Sequence, residues 1–414
     1  MLSDRAALLE AIKAEPDEDT PRLAFADLLD ERLDTYFADW AALIRAQVEY
    51  ARQERYSDCW IALTHEQARL FTKRRNDWTQ LWGSGLGPAA HRRGFLEGMP
   101  FYISQDVFPK RFSTYFASNP IRAIHLAEVG RADTETLREL LRRPELERVE
   151  TLDLRNDAHR KRDRQFTLRL IAKMPRLRAL GLCGSGLAAS EVADIIGTLP
   201  AGRIQALDLS GNYLFVDDQR PESLFHAPTL ARLHWLDLGA TSMRPEALYS
   251  LAHSPVMKGL RHLDLEARFA SDAHFGPEGA ASLAAGTALR QLEVLNLSYQ
   301  QIGTHGVAAL VSSGILSSIR ELDLKGNQIG DLGAALLANC PHVRNLRMLD
   351  LNQNSITMTG VEAIIDSPHL AGLQVLRLAD AALGEEAARR SRERFPRQLP
   401  DSFECHAQMF EPIP

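Results

Sequence analysis

The sequence predicts an α/β solenoid, a horseshoe with parallel strands inside and helices outside, preceded by a small all-α helical domain. Three observations carry this. One short segment keeps returning, its spacing is nearly constant, and the first part of the chain lacks it and shows helical periodicity instead. The clearest copy is Ile319-Arg-Glu-Leu322-Asp-Leu324-Lys-Gly-Asn327-Gln-Ile329, apolar at positions 1, 4, 6 and 11 with Asn at position 9. Copies begin at Ile121, Val149, Leu177, Ile204, Leu233, Leu260, Leu292, Ile319, Leu346 and Leu373, at intervals of 28, 28, 27, 29, 27, 32, 27, 27 and 27 residues. Alternating apolar positions followed by a turn and a helix-length segment describe one strand–turn–helix unit per copy.

The region before the copies, residues 1 to 88, reads as four helices. Leu2, Leu8, Leu9 and Ile12 share one face of the first, with Ser3 as its expected N-cap and Pro16 beyond its end. Thr20-Pro21 starts a second, a capping hydroxyl followed by proline at the first helical position, and Leu23, Phe25, Ala26, Leu28 and Leu29 form its stripe. A third is expected over residues 37–55 and a fourth over 61–82, ended by Gly83-Ser-Gly85-Leu-Gly87-Pro88, which reads as a linker. The carboxylates Asp17, Glu18, Asp19, Asp27, Asp30, Glu31 and Asp34 lack the spacing of a calcium loop, and helix-start charge accounts for the first three. Leu2-Ser-Asp-Arg-Ala-Ala-Leu-Leu-Glu-Ala-Ile, Pro16-Asp-Glu-Asp-Thr-Pro-Arg-Leu-Ala-Phe-Ala-Asp-Leu-Leu-Asp-Glu-Arg and Leu43-Ile-Arg-Ala-Gln-Val-Glu resemble a bacterial repeat-companion domain of planctomycete-type genomes. Leu28 departs from it, standing where the family usually shows Trp. The resemblance covers about the first 50 residues and extends loosely to Arg92-Arg93-Gly94-Phe95. It implies an accessory module fused to an interaction scaffold and assigns no activity to any residue.

The array runs over residues 89–398. Leu96-Glu-Gly-Met99-Pro-Phe101 fits the pattern 25 residues before Ile121 and is expected to be a degenerate capping strand. Helices are expected at 134–141, 190–196, 245–252, 306–311 and 360–365. Strands stack at about 4.8 Å and helices at about 8–10 Å, so the stack bends with its strands inside. The period and full helices resemble the ribonuclease-inhibitor class of leucine-rich repeats over about three quarters of the chain. Asn at position 9 satisfies backbone groups in the turns of adjacent repeats. Asn212, Asn327 and Asn354 keep it, whereas Asp157, Ser185, Thr241, Arg268, Gln300 and Ala381 replace it, which leaves an imperfect ladder. Residues 399–414, with Phe403 and Phe410, are expected to cap the last repeat.

Positions 3, 5 and 7 point to the concave face. Position 5 carries Asp153, Asp208, Asp237, Asp264, Asp323 and Asp350, an acidic column beside Arg122, Arg178, Arg261, Arg320 and Arg347 at position 2. The column is either repeat grammar neutralised by those arginines or a surface that steers a basic partner. Trp235 and His262 at position 3, Tyr299 at position 8 and Glu266 cluster in neighbouring copies, next to the 32-residue repeat with Phe269 and Phe275. Aromatic residues on a rigid sheet are common interface anchors. Phe269 and Phe275 read equally well as local core beneath their loop.

Composition and motifs narrow the function. A net charge of −6 disfavours general nucleic-acid binding, and the basic runs at 159–164 and 389–397 read as solvated faces. Cys59, Cys183, Cys340 and Cys405 have neither zinc nor disulfide spacing, which suits a reducing compartment. No apolar run reaches membrane-spanning length, and the charged N-terminus leaves no room for a signal core; a cytoplasmic location is expected. G-x-S-x-G, H-E-x-x-H, P-loop and dinucleotide fingerprints are absent, and His65 and His91 have no identifiable nucleophile partner. The reading is a non-enzymatic scaffold or regulator without cofactor or metal. It binds another protein through Trp235, Asp237, His262, Asp264, Glu266, Phe269, Tyr299, Asp323 and Asp350. The alternatives are a recognition subunit of an enzyme system with undetected catalytic residues, and nucleic-acid binding through the basic loops.

Overall fold

The computed structural model describes residues 2–32, 34–82, 91–93, 95–102, 108–127, 129, 132–154, 164–215, 222–267, 274–378 and 385–397. The expected linker at 83–88, Phe269, the basic residues 159–163 and the cap at 399–414 lie outside them. Two compact units divide between Leu177 and Arg178.

The first unit begins with four helices, α1 (Leu2–Ala14), α2 (Thr20–Asp30), α3 (Thr35–Arg52) and α4 (Asp58–Trp82). Two expected caps move by one residue or more. Ser3 falls inside α1 because the helix already begins at Leu2, and Asp19 rather than Thr20 occupies the cap position of α2. The helix α3 starts two residues earlier than its apolar stripe, because the Asp34 carboxylate accepts the Tyr36 N–H at 2.8 Å. Ile12, Phe25, Ala26, Leu29, Ala41, Ile44 and Val48 form the core of this block, and Phe95 joins it from beyond α4. The Phe25 ring packs 5.2 Å from Phe95 and 5.6 Å from Trp40.

An ion network fixes the helices to the first strand–turn units. Arg22, fully buried, donates to Pro16 O at 2.5 Å and Glu97 Oε1 at 2.6 Å, and its guanidinium lies 5.2 Å from the Phe95 ring centroid. Glu97 accepts a second arginine, Arg122, at 2.6 Å, and Arg122 also reaches Asp17 at 3.0 Å. Burial pulls the Arg22 guanidinium below the usual arginine range, against the opposing attraction of Glu97. The degenerate copy forms a strand, Gly98–Tyr102, parallel to Ala123–Ala127 with Gly98 opposite Ala123. That strand pairs in turn with Thr151–Leu154.

The second unit is a leucine-rich repeat solenoid. Its strands are Ala179–Gly181, Ala206–Asp208, Trp235–Asp237, His262–Asp264, Val294–Asn296, Glu321–Asp323, Met348–Asp350 and Val375–Arg377. Each pairs in parallel with the next, and equivalent repeat positions stand side by side: Ala206, Trp235, His262, Val294, Glu321, Met348 and Val375 form one row. Helices Pro245–His253, Gly276–Ala284, Gly303–Ser312, Gly330–Ala338 and Met358–Ile365 pack on one another in sequence order. Position-4 and position-6 side chains, Leu322, Leu324, Leu349 and Leu351 among them, are buried, as are helix residues such as Leu248, Leu251, Val307 and Leu310. Apolar area removed from water between strands and helices is the main source of stability in such a stack.

The turn after each strand is built on position 9. Asn327, fully buried, accepts the Gln300 N–H at 3.0 Å and the Ile302 N–H at 3.3 Å from the preceding repeat. Its amide nitrogen donates to Leu297 O at 2.8 Å and Leu324 O at 2.9 Å. Asn212 and Asn354 repeat this arrangement. Where Gln300 replaces Asn, the longer side chain still donates to Leu265 O and accepts the Phe275 N–H at 3.2 Å. Thr241 keeps only a donor, to Leu238 O at 2.5 Å. The ladder is therefore more continuous at position 300 than an Asn count implies.

Candidate protein-binding face

The acidic column turns out to be part of the strand ends. Asp208, Asp237, Asp264, Asp323 and Asp350 each accept the backbone N–H two residues ahead, at 2.8–2.9 Å. This is the local side-chain turn that Asp and Asn favour, and it closes each strand into its Asn-centred turn. Asn296 occupies the same slot and does the same for Ser298 at 2.9 Å, while its own amide donates to Asp264 at 2.9 Å. In the first unit, Asp153 instead meets His125 Nδ1 at 2.9 Å. The carboxylates of Asp237, Asp264, Asp323 and Asp350 are all buried. Burial first, and then the neighbouring Asp323, push the Asp350 carboxyl up to about 7, with Arg377 opposing at 3.8 Å. The position-2 arginines do not serve this column. Arg261 and Arg320 flank Glu293 at 3.6 and 3.9 Å, and Arg347 donates to Gly372 O at 3.2 Å.

Trp235 and His262 stand opposite each other on adjacent strands and stack, with ring centroids 5.2 Å apart and planes within 16°. Both are buried; Trp235 keeps 9% of its surface in water. Flat rings on neighbouring strands lie within stacking distance because the strands are about 4.8 Å apart.

A second cluster forms the partly exposed rim at the strand ends. Tyr299 adopts a left-handed backbone (φ 61°), which a bulky residue tolerates poorly. Its ring lies over Gly326, where a Cβ would meet Tyr299 Cδ1 at 2.3 Å. The Lys325 ammonium sits 5.4 Å from the ring centroid, and the Tyr299 hydroxyl donates to Gln353 Oε1 at 3.0 Å. The Tyr299 hydroxyl beside it holds the Lys325 ammonium above its usual range. Glu266 lies on the same rim, half-buried. Sequence reading singled out Tyr299 but missed Lys325, Gln353 and the glycine that makes room for the ring. The signal was Gly at position 8 of the following copy, legible only once that copy is placed beside Tyr299.

The remaining candidates resolve without a site. Phe275 is buried against Gly279, as local core. Asp19 pairs with Arg52, and Asp27 and Asp30 with Arg45. In the last helix, Arg389 pairs with Glu386 and Glu393, and Arg390 with Glu362. Among the described residues no cluster of His, Cys, Asp and Glu is arranged to hold a metal ion, and no helix is long and apolar enough to cross a membrane.

The family model described as "Leucine Rich repeat" matches residues 316–338 and 342–364. No curated protein matches the sequence. Among solved structures, the crystal structure of the Rad7 and Elc1 complex in yeast is similar at 14% identity, over 84% of this chain and 90% of that one, with a TM-score of 0.39.

Proposed function

We propose that the chain is a non-enzymatic scaffold or regulator that binds another protein through the strand face of its second unit. The observation that carries this is the Trp235–His262 stack beside the Tyr299–Lys325–Gln353 rim, large side chains in fixed geometry on a rigid parallel sheet. Rigid aromatics lose little entropy on binding and anchor interfaces. Asp237, Asp264, Asp323 and Asp350 give this face a column of carboxylates, which favours a partner with a basic surface. The N-terminal helices act as an accessory module of the bacterial repeat-companion type, held to the array by Arg22, Glu97 and Arg122. An exposed free thiol at Cys59 supports a reducing, cytoplasmic setting.

The test is affinity capture of the partner by the full chain from its native cell, followed by titration of purified variants. Trp235→Ala weakens binding at least ~30-fold, the effect of losing about 2 kcal/mol. Glu147→Ala, at an exposed position of the other unit, leaves binding unchanged. Normal binding by a folded Trp235→Ala variant places the interface elsewhere.

A further inference from the structure

In the second unit, the edge at which the strands begin carries a charge opposite to that of the whole chain. The residues that lead into successive strands, 178, 202–205, 231–234, 258–261, 290–293, 317–320 and 344–347, hold nine lysines and arginines against one carboxylate, Glu293, in a chain of net charge −6. They form a continuous row because the backbone ladder starts here. The N–H of Gln205 donates to Arg178 O, that of Arg261 to His234 O, that of Arg320 to Glu293 O and that of Arg347 to Arg320 O, at 2.8–2.9 Å. Little of this charge is cancelled. Glu293 lies between Arg261 and Arg320, at 3.6 and 3.9 Å. Arg178, Arg232, Lys258 and Arg290 are exposed, and among the described residues none of these four is in an ion pair. Several of the arginines are also held in place. The Arg232 stem lies across Gly202, where a Cβ would meet its Cγ at 3.0 Å, and Arg290 lies across Gly314. Arg347 lies across Gly372 and donates to its carbonyl at 3.2 Å. A guanidinium already laid down on its neighbour loses less freedom when it binds. His234 registers the field of this edge: burial first, then Arg261 and Arg232, push its imidazole down to about 4.

We propose that this edge is a second interaction surface and that it holds an extended acidic segment of a protein. Charge complementarity sets the sign of the ligand. The row sets its length: six strand intervals of about 4.8 Å between Arg178 and Arg347 make roughly 29 Å, the reach of about nine extended residues. Carboxylates at every second residue of such a segment repeat at about 6.7 Å along one side, within reach of successive long cationic side chains. A nucleic-acid strand fits less well. The residues of the row include no Phe, Tyr or Trp on which bases could stack. The carboxylate column also lies three residues further along each strand, about 10 Å away, where it repels a polyphosphate too wide to stay on the edge. The inference does not depend on the strand face being an interface.

The experiment uses the full chain and a fluorescein-labelled peptide of alternating glutamate and serine, about ten residues long to match the row, with binding read by fluorescence anisotropy at low ionic strength. The parent chain binds this peptide and does not bind the analogue with lysine in place of glutamate. Arg232→Glu/Arg290→Glu weakens binding roughly tenfold, because two exposed attractive contacts become repulsive. Arg178→Gln/Lys258→Gln, which removes two unpaired exposed charges without reversing any, weakens it about threefold and serves where the first variant does not fold. Trp235→Ala leaves peptide affinity unchanged. Absence of peptide binding by the parent chain overturns the proposal, and so does equal affinity of the parent and a folded edge variant. Loss of peptide binding in a folded Trp235→Ala variant overturns it in favour of the strand face. An oligothymidylate of equal charge that binds more tightly than the peptide, and that the edge variants release, overturns the choice of partner in favour of a polyphosphate. A failure of the proposed strand-face interface alone leaves the peptide results as they are.

Discussion

Asn327 offers the sharpest test of how the repeats hold together. Replacing it with Ala removes five hydrogen bonds at once and leaves the Gln300 and Ile302 N–H groups and the Leu297 carbonyl without that partner, while Leu324 O keeps the bond donated by Asn354 Nδ2. Each buried group so orphaned costs about 1–3 kcal/mol. Taking the lower bound for these three gives a loss of roughly 3 kcal/mol, before any water enters the small space left behind. Asn327→Asp is no rescue. It keeps both acceptor functions but replaces two donors with a carboxylate oxygen facing two carbonyls. Nearest-neighbour coupling in a solenoid concentrates such damage locally. Native-state hydrogen exchange therefore reads it better than a single melting temperature. The amides of Gln300 and Ile302 lose protection by several orders of magnitude in both variants, while amides in α2 and α3 keep theirs. A loss below about 1 kcal/mol for Asn327→Ala, with unchanged protection at 300 and 302, would refute the bridging role assigned to this side chain.

Four further outcomes follow from the same structure. The Asp350 carboxyl is raised from an ordinary 3.8 to about 7, so the folded state binds the proton more tightly and stability declines as pH rises between those values. Asp350→Asn, which Asn296 shows to be compatible with the slot, removes that decline and stabilises the protein on the order of 2 kcal/mol at pH 8 by urea titration. An unchanged slope of stability against pH refutes this. Glu97→Gln leaves Arg22 buried against a neutral partner and costs about 3–5 kcal/mol; limited proteolysis then cuts within the first 30 residues sooner than in the parent, and equal rates count against the network. Gly326→Ala drives a methyl into the Tyr299 ring and breaks the Tyr299–Gln353 bond, visible as increased tyrosine accessibility to nitration, and alanine at φ 69° lowers the melt as well. If the acidic column steers a basic partner, association slows as salt rises, because long-range attraction through solvent is screened beyond ~8 Å at physiological ionic strength; a salt-independent on-rate leaves those carboxylates as turn caps alone.

The fold was legible because its information is periodic and local. Ten copies in phase set strand, turn and helix, and the register of neighbouring strands follows from equal spacing, so Leu322, Leu349 and their equivalents could be placed in the core directly. The helical block was legible for a similar reason, although Ser3 and Thr20 show that a capping residue type does not fix the cap to the residue. What the pattern could not give was the use of each polar side chain. Asp at position 5 is equally compatible with steering a partner and with closing a turn, because both need a short carboxylate at a strand end. The structure shows its backbone bond at 2.8–2.9 Å, and the choice depends on that distance.

The site was less legible because its parts come from different repeats. Trp235 and His262 are 27 residues apart and Tyr299 and Gln353 are 54 apart, so no window of sequence contains either contact. A strand face reads as open when repeats are considered one at a time, and the burial of Met348 shows that reading to be incomplete.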